Sequence, residues 1–302
     1  MLLKMWKSLL RVIIYRIRIK IMKKKLKNIL EYIGDFVLLL LFYIRYVSNR
    51  CVKFPLKGGN LKSISVLGNG PSLKAFIETH NVLDKDAICV NFSPLTDAFY
   101  VIRPKYLVLI DPEFYNVSNE SVMSLSEAIR TKVTWEVTII TTKAHLQKAA
   151  SLYGGKNIRF ESLPQIPFEP RTKRFIEYRN RMFRKGITMP SAQNVAIAAI
   201  FMAINSGYKQ VNLYGLEHSW LKDTYVSENN IPCLKDEHYY GTQDVPWAFN
   251  SDGTPWKLYQ LMEALGLVFK GYIDLQVYAD YLGDVKIINK TKGSWIDAFE
   301  RG

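Results

Sequence analysis

Short apolar runs and segments of helical period take turns along most of this chain. Runs at Ile64–Leu67, Ala87–Val90, Tyr106–Ile110, Val137–Thr141, Val211–Tyr214 and Val285–Ile288 stop at polar or glycine residues and predict strands. Between them, Leu73–His80, Ser121–Thr131, Ala144–Tyr153, Ser191–Ser206 and Pro255–Leu265 predict helices. Such alternation argues an α/β fold, a single domain on a mostly parallel sheet. In open parallel sheets ligands sit beyond the carboxyl ends of strands, near the point where strand order reverses. The strand ends here are all polar: Asn69 and Gly70, Asn91 and Ser93, Asp111, Thr141 and Thr142, then Gly215, Glu217 and His218. Each of these residue types also ends strands for local reasons. The case rests on five polar ends together, not on any one.

The first strand leads into Gly68-Asn69-Gly70-Pro71-Ser72-Leu73. Two glycines allow backbone amides to approach a ligand closely, and the helix that follows favours an anion at its first turn. Asn69 and Ser72 add neutral donors, which suits a phosphate or the edge of a nucleotide. A ligand-free strand-to-helix turn fits the same letters. The third glycine of a dinucleotide fingerprint and the Gly-Lys-Ser/Thr of a P-loop are both missing, which argues against NAD and against Walker-type ATP binding.

Ahead of this lies a different kind of segment. Net charge is +14, and 13 Lys/Arg against Glu31 and Asp35 fall between Met1 and Lys53, leaving little for the rest. The basicity therefore belongs to an N-terminal appendage (residues 1–56, with the main domain at 57–302), and a nucleic-acid-binding surface is not expected. Lys4, Lys7, Arg11 and Arg18 recur at helical spacing opposite Leu3, Trp6, Leu10, Ile13, Ile14 and Ile17. Lys23-Lys24-Lys25-Leu26-Lys27 follows, then an apolar stretch from Phe36 to Ile44 that falls short of the ~20 residues a spanning helix needs. No small-residue cleavage site follows it, which argues against a secretory signal. The pattern predicts one or two amphipathic helices lying on an anionic membrane through residues 1–50. A helix pair that joins copies of the chain, or a tilted span with snorkelling lysines, stay open as alternatives. Cys51, Cys89 and Cys233 are widely spaced, with neither a disulfide framework nor a zinc pattern. A reducing compartment follows, so the expected location is the cytoplasmic face of an inner membrane, peripheral or monotopic.

Residues Lys222 to Trp256 are polar, carry three prolines and show no clear period. A connection of that length is usually functional or disordered. Tyr225, His238, Tyr239, Tyr240, Trp247 and Trp256 make it too aromatic for a disordered linker, and a lid that orders over a substrate is the expectation.

In this order the motifs resemble the bacterial sialyltransferases of glycosyltransferase family 42, from about Ser63 to the C-terminus. Gly68–Leu73 matches the family's first turn, Val90-Asn91-Phe92 its second strand end, and Ala144-His145-Leu146 a later helix start. Ile187-Thr188 precedes an alanine-rich helix that ends at Gly207-Tyr208-Lys209, and Tyr214-Gly215-Leu216-Glu217 follows the next strand. Tyr225 stands ten residues past Gly215 at the family's tyrosine spacing, and His238-Tyr239-Tyr240-Gly241 resembles a lid segment. The resemblance implies a metal-independent transferase of a CMP-linked acidic sugar, sialic acid or a keto-sugar such as Kdo, on a variant GT-A-like fold with no resident cofactor. The acceptor would be a surface glycan or a lipid-linked glycan, as in bacterial lipopolysaccharide or capsule biosynthesis. By carry-over, Asn69, Ser72 and Asn91 contact nucleotide and donor, with Gly70, Thr188 and Gly215 beside them. Asp111 falls where the family has a donor-binding asparagine, and Tyr225 binds the CMP phosphate.

Two positions depart from the family. Its second phosphate tyrosine falls near Ser219, and its base histidine falls at Thr242, which cannot act as a base near neutral pH. His238, four residues earlier, is the replacement base, with His218 second and Glu217 and Asp244 as carboxylate alternatives. Hydroxyl and amide donors can stabilise a monophosphate leaving group without a metal. The Asp84-Lys85-Asp86 triplet precedes a strand and reads as a surface turn. Two other readings remain: a pterin pyrophosphokinase-like enzyme using ATP and Mg²⁺, and a catalytically silent membrane-bound scaffold that keeps the fold.

Overall fold

The computed structural model describes residues 2–302 apart from 49–52, 58–60, 81–83 and 239–240; side chains are not described at 2–15, 17, 48, 75, 78–80, 235–238 and 241–245. Eleven strands are present among these residues: β1 Leu61–Leu67, β2 Asp86–Val90, β3 Tyr106–Val108, β4 Val137–Thr142, β5 Ile158–Leu163, β6 Tyr208–Tyr214, β7 Thr224–Val226, β8 Pro232–His238, β9 Gly241–Pro246, β10 Lys286–Asn289 and β11 Glu300–Arg301. The helices are α1 Leu2–Ser48, α2 Pro71–His80, α3 Asp97–Ile102, α4 Glu120–Lys132, α5 Leu146–Tyr153, α6 Lys173–Arg184, α7 Val195–Asn205 and α8 Leu258–Leu282. Eight strands form one sheet in the order β11-β10-β6-β1-β2-β3-β4-β5, parallel throughout. The chain builds outward from β1 to β5, crosses back through α6 and α7, and resumes at β6 on the other side of β1. That reversal is the switch point.

Period-two side chains divide the sheet's residues between two cores. Ile64, Val66, Ile88, Val90, Val108 and Ile140 face α7 and α8, while Leu67, Cys89, Leu107 and Ile139 face α4 and α5. Helix α7 is the centre of the first core: every residue from Ala196 to Asn205 is buried, and its alanines let sheet and α8 close in on it. Asn194 caps it, its Oδ1 accepting the Ala196 N–H at 2.9 Å, so the helix starts at Val195, four residues later than the periodicity predicts. Helix α8 runs 25 residues, well past the predicted end at Leu265. Gly271 belongs to packing there and does not stop the helix, because a Cβ would sit 2.6 Å from Ile197 Cδ1.

The N-terminal segment is one continuous helix of 47 residues. Its second half docks on the domain, burying Phe42 against Phe168, Phe175 and Met182. Asp35, 1% exposed, caps α6 from outside: its carboxylate accepts the Arg171 and Thr172 N–H groups at 2.9 and 2.8 Å and the Thr172 hydroxyl at 2.6 Å. Helix α1 passes α6 in the same direction, with Tyr32 by Phe175 and Tyr43 bonded to Tyr178. Past α1 the chain ties back to the domain through Phe54 N–H to the Gly186 carbonyl and Lys57 N–H to the Asn205 carbonyl, at 2.9 and 2.8 Å. Among the described residues no helix is long and apolar enough to cross a membrane. The aperiodic stretch from Lys222 carries structure of its own, the antiparallel sheet β7-β8-β9.

Candidate active site

Two strand-end turns meet at the switch point, and glycine is what lets them meet. Gly68 N–H donates to the Tyr214 carbonyl at 2.8 Å and Gly70 N–H to the Gly215 carbonyl at 3.0 Å. A Cβ on Gly68 would overlap the Gly215 carbonyl. Gly215 itself has φ +65°, where a side chain is strained, and a Cβ there would crowd Leu73. The result is a cavity of about 490 Å³ beyond the ends of β1, β2 and β6. Asn69, Gly70, Asn91, Gly215, Glu217 and His218, all named from the sequence, line it together with Asn194, Ser219, Trp220, Asp223 and Leu234. Asn91 turns the chain at φ +53°, a conformation asparagine tolerates, and Asn69 Nδ2 braces the corner by donating to the Val90 carbonyl at 3.3 Å.

The first turn of α2 already holds an anion. Glu217 Oε1 accepts the Ser72 N–H at 2.7 Å, and its Oε2 is buried with no partner, packed where a Gly70 Cβ would be. A carboxylate in that position satisfies the helix N-terminus. Its Oε2 is enclosed and reaches no ligand, but the carboxylate's charge repels a phosphate at this turn. The phosphate expected at the Gly68–Ser72 turn therefore has no vacant place there. The other helix end at the cavity is α7, presented through Asn194 and Val195.

His218 is buried at φ +50°. Its Nε2 is 2.7 Å from the Tyr272 hydroxyl, and its ring packs on Trp220 and Tyr272. Burial pulls the imidazole pKa down to about 4 and pushes the Tyr272 phenol above its usual range. Tyr272 thus keeps its proton, and His218 is a neutral ring near neutral pH with its Nε2 engaged by the phenol. It walls the cavity and is a poor proton acceptor.

Other expected site residues lie elsewhere. Thr188 is fully buried and donates to the Ile166 carbonyl at 2.5 Å, away from the cavity lining. Asp111 is exposed at the end of β3, where its carboxylate caps the following turn by accepting Glu113 N–H at 2.9 Å. Tyr225 is half-buried on β7, in register with Cys233. His238 ends β8 opposite Gly241; its side chain, with those of Thr242 and Asp244, lies outside the described residues. Near Asp111, His145 stands at the end of β4, stacked on Tyr115 at 4.4 Å with Nδ1 2.9 Å from the Thr142 hydroxyl. Burial and Lys148 lower its pKa, against Asp111. In the sequence it stands three residues past the polar strand end Thr141-Thr142, within Ala144-His145-Leu146. Among the described residues no three His, Cys, Asp or Glu side chains converge as a metal site.

Comparison with protein families finds no match, and none is found among curated proteins. Among solved structures the chain is similar to the sialyltransferase CstII from Campylobacter jejuni, in complex with the substrate analogue cytidine-5'-monophosphate. Identity is 14%, the match covers 81% of this chain and 86% of that one, and the TM-score is 0.35. Likeness at this level transfers no chemistry, which has to come from the site's own residues.

Proposed function

We propose that the chain is a glycosyltransferase that moves an acidic sugar, sialic acid or a related keto-sugar, from its CMP conjugate to a glycan or lipid-linked acceptor at a membrane. The observation that carries this reading is the cavity at the switch point, lined by the side-chain amides of Asn69, Asn91 and Asn194, the Ser219 hydroxyl and glycine backbone, with Glu217 and Asp223 as its acidic residues. A volume of about 490 Å³ suits a nucleoside monophosphate with part of its sugar. The phosphate goes toward the α7 end, whose N-terminus favours negative charge, and away from the Glu217 carboxylate at the first turn of α2. In the reaction a base removes the acceptor hydroxyl's proton, the oxygen attacks the anomeric carbon, and the bond to CMP breaks with its electrons on the phosphate. Backbone and amide donors stabilise that leaving group without reorganising. Tyr225 on the lid sheet assists the phosphate. His238, at the end of β8, is the base, because burial makes His218 a weak base and its Nε2 is already engaged by the Tyr272 hydroxyl. Residues 1–50 hold the enzyme to an anionic membrane on the cytoplasmic side.

The test is calorimetric titration of CMP, UDP, GDP and ATP into the full chain, with and without Mg²⁺. Binding of CMP alone, unchanged by Mg²⁺, is expected. A preference for ATP with Mg²⁺ sinks the reading in favour of a pyrophosphokinase-like enzyme. CMP binding with no sugar transfer to any acceptor leaves a silent scaffold. Replacing His238 with Ala is expected to abolish transfer while CMP still binds.

A further inference from the structure

A second concave surface lies at the opposite end of the sheet from the cavity. It is a groove of about 1050 Å³ where α6 ends and β6 begins. Its floor is apolar (Pro55, Leu56, Ile187, Leu282), and its rim carries six cations against one carboxylate, Asp284. Lys209 pairs with Asp284 at 2.5 Å and Lys57 with Glu161 at 3.5 Å. Lys53, Arg181, Arg184 and Lys185 have no carboxylate within ion-pair distance among the described residues. Uncompensated like charges gathered round an apolar floor are costly unless an anion shares them. A ligand with phosphate and hydrocarbon in one molecule matches both halves of the groove.

Helix α1, which runs down to this end of the domain, shows outward what the groove lacks. Opposite the face that buries Asp35 and Phe42, a ridge runs through Met22, Leu26, Ile33, Leu40, Ile44 and Val47, each 50–71% exposed. It is about 38 Å long at 1.5 Å per residue. Flanking exposed apolar residues (Ile29, Leu30, Phe36, Val37, Leu41) widen it to roughly 140° of the helix at 100° per residue, broader than a coiled-coil seam. Pairing two copies along the ridge would also bring together two N-terminal segments that each carry 13 Lys/Arg.

We propose that ridge and groove form one docking surface for an anionic phospholipid bilayer, the ridge lying among the acyl chains and the groove holding lipid phosphates. An interfacial helix sinks about 5–10 Å, close to a helix diameter, which brings the cations one layer behind it to the level of the phosphates. The proposal rests on the membrane half of the reading above and extends it from residues 1–50 to the groove cations of the folded domain.

The test is sedimentation of the full chain with phosphatidylcholine vesicles, with and without about one third phosphatidylglycerol. Two charge reversals of equal size are compared: R181E/R184E/K185E in the groove, and R130E/K148E/K156E on the far layer. All six side chains are exposed, so both variants are expected to keep the wild-type melting curve. The groove variant is expected to lose more than about tenfold in partition to the anionic vesicles, and the far-layer variant under threefold. A ridge variant, I33S/L40S/I44S, is expected to lose binding to both vesicle types. Equal losses in the two charge reversals overturn the groove's role and leave the binding to Lys23–Lys27. A wild type that stays in the supernatant overturns the membrane reading itself. A ridge variant that binds as wild type but halves the particle mass in light scattering makes the ridge an interface between copies, which also overturns the proposal.

Discussion

At the scale of single residues, the site depends on what glycine makes room for. Replacing Gly70 with Ala puts a methyl where the Glu217 carboxylate packs, so the carboxylate has to leave the α2 N-terminus. The expected result is a loss of nucleotide affinity above about tenfold at a stability cost near 1–2 kcal/mol, read by titration and urea melts. His218 gives a pH signature. Its pKa falls from 6.5 to about 4 on folding because burial disfavours the charged ring. Between those values the unfolded chain binds more protons, so this contribution is complete above the unfolded value and is lost as pH falls toward the folded one. The unfolding free energy should drop by about 2–3 kcal/mol between pH 7 and pH 4.5 through this group, and His218→Asn should flatten that part of the profile. The glycine turn was legible because glycine and proline punctuate a sequence locally. The carboxylate at its centre comes from 145 residues away, and the Tyr272 hydroxyl on His218 from 54, distances at which no local pattern speaks.

At the scale of elements, one carboxylate joins α1 to the domain. Asp35 accepts three hydrogen bonds at the start of α6, replacing the cap that Thr172 does not supply from its own side chain. Asp35→Ala leaves buried N–H donors unpaired and should cost about 2–3 kcal/mol of docking. The check is hydrogen exchange: faster exchange in the second half of α1 and the first turn of α6, with the central sheet unchanged. Deeper in, Arg179 is 2% exposed and bonds Asp274 at 2.7 Å, with its Nε and one terminal nitrogen unpaired. Asp274→Ala strands that guanidinium in the core and should destabilise by about 3–5 kcal/mol in a denaturant melt. Six strands of the main sheet announced themselves through β-branched runs. β5 did not, being an edge strand whose residues are mostly half-buried and mixed in polarity. Helix α6 hid behind five Lys/Arg, yet Phe175, Arg179, Met182 and Phe183 turn inward at helical spacing. The lid sheet was missed because charged residues at Lys235–Glu237 interrupt strand alternation.

At the scale of the whole molecule, the cavity and the N-terminal helix have separate supports. The cavity is built from the ends of β1, β2 and β6 and the start of α7, and among the described residues none of α1 lines it. Helix α1 reaches the domain through α6 and the Phe168 region, on the far side of α7 and α8 from the second core. A shortened chain beginning at Lys53 keeps the Phe54 and Lys57 backbone bonds to Gly186 and Asn205 while exposing Phe168, Phe175 and Met182. Losing the packing of Phe42 and its neighbours with the Asp35 cap should cost about 4–6 kcal/mol, or roughly 10 °C or more in Tm for a domain of this size. CMP affinity should stay within about threefold, since the atoms that build the cavity keep their partners. If affinity falls in step with stability, α1 supports the site through α6, and the two ends of the molecule are coupled. If affinity holds while the Tm drops, the helix contributes placement of the enzyme and none of its chemistry, which is the division expected when an enzyme recognises a soluble donor and meets its acceptor at a surface.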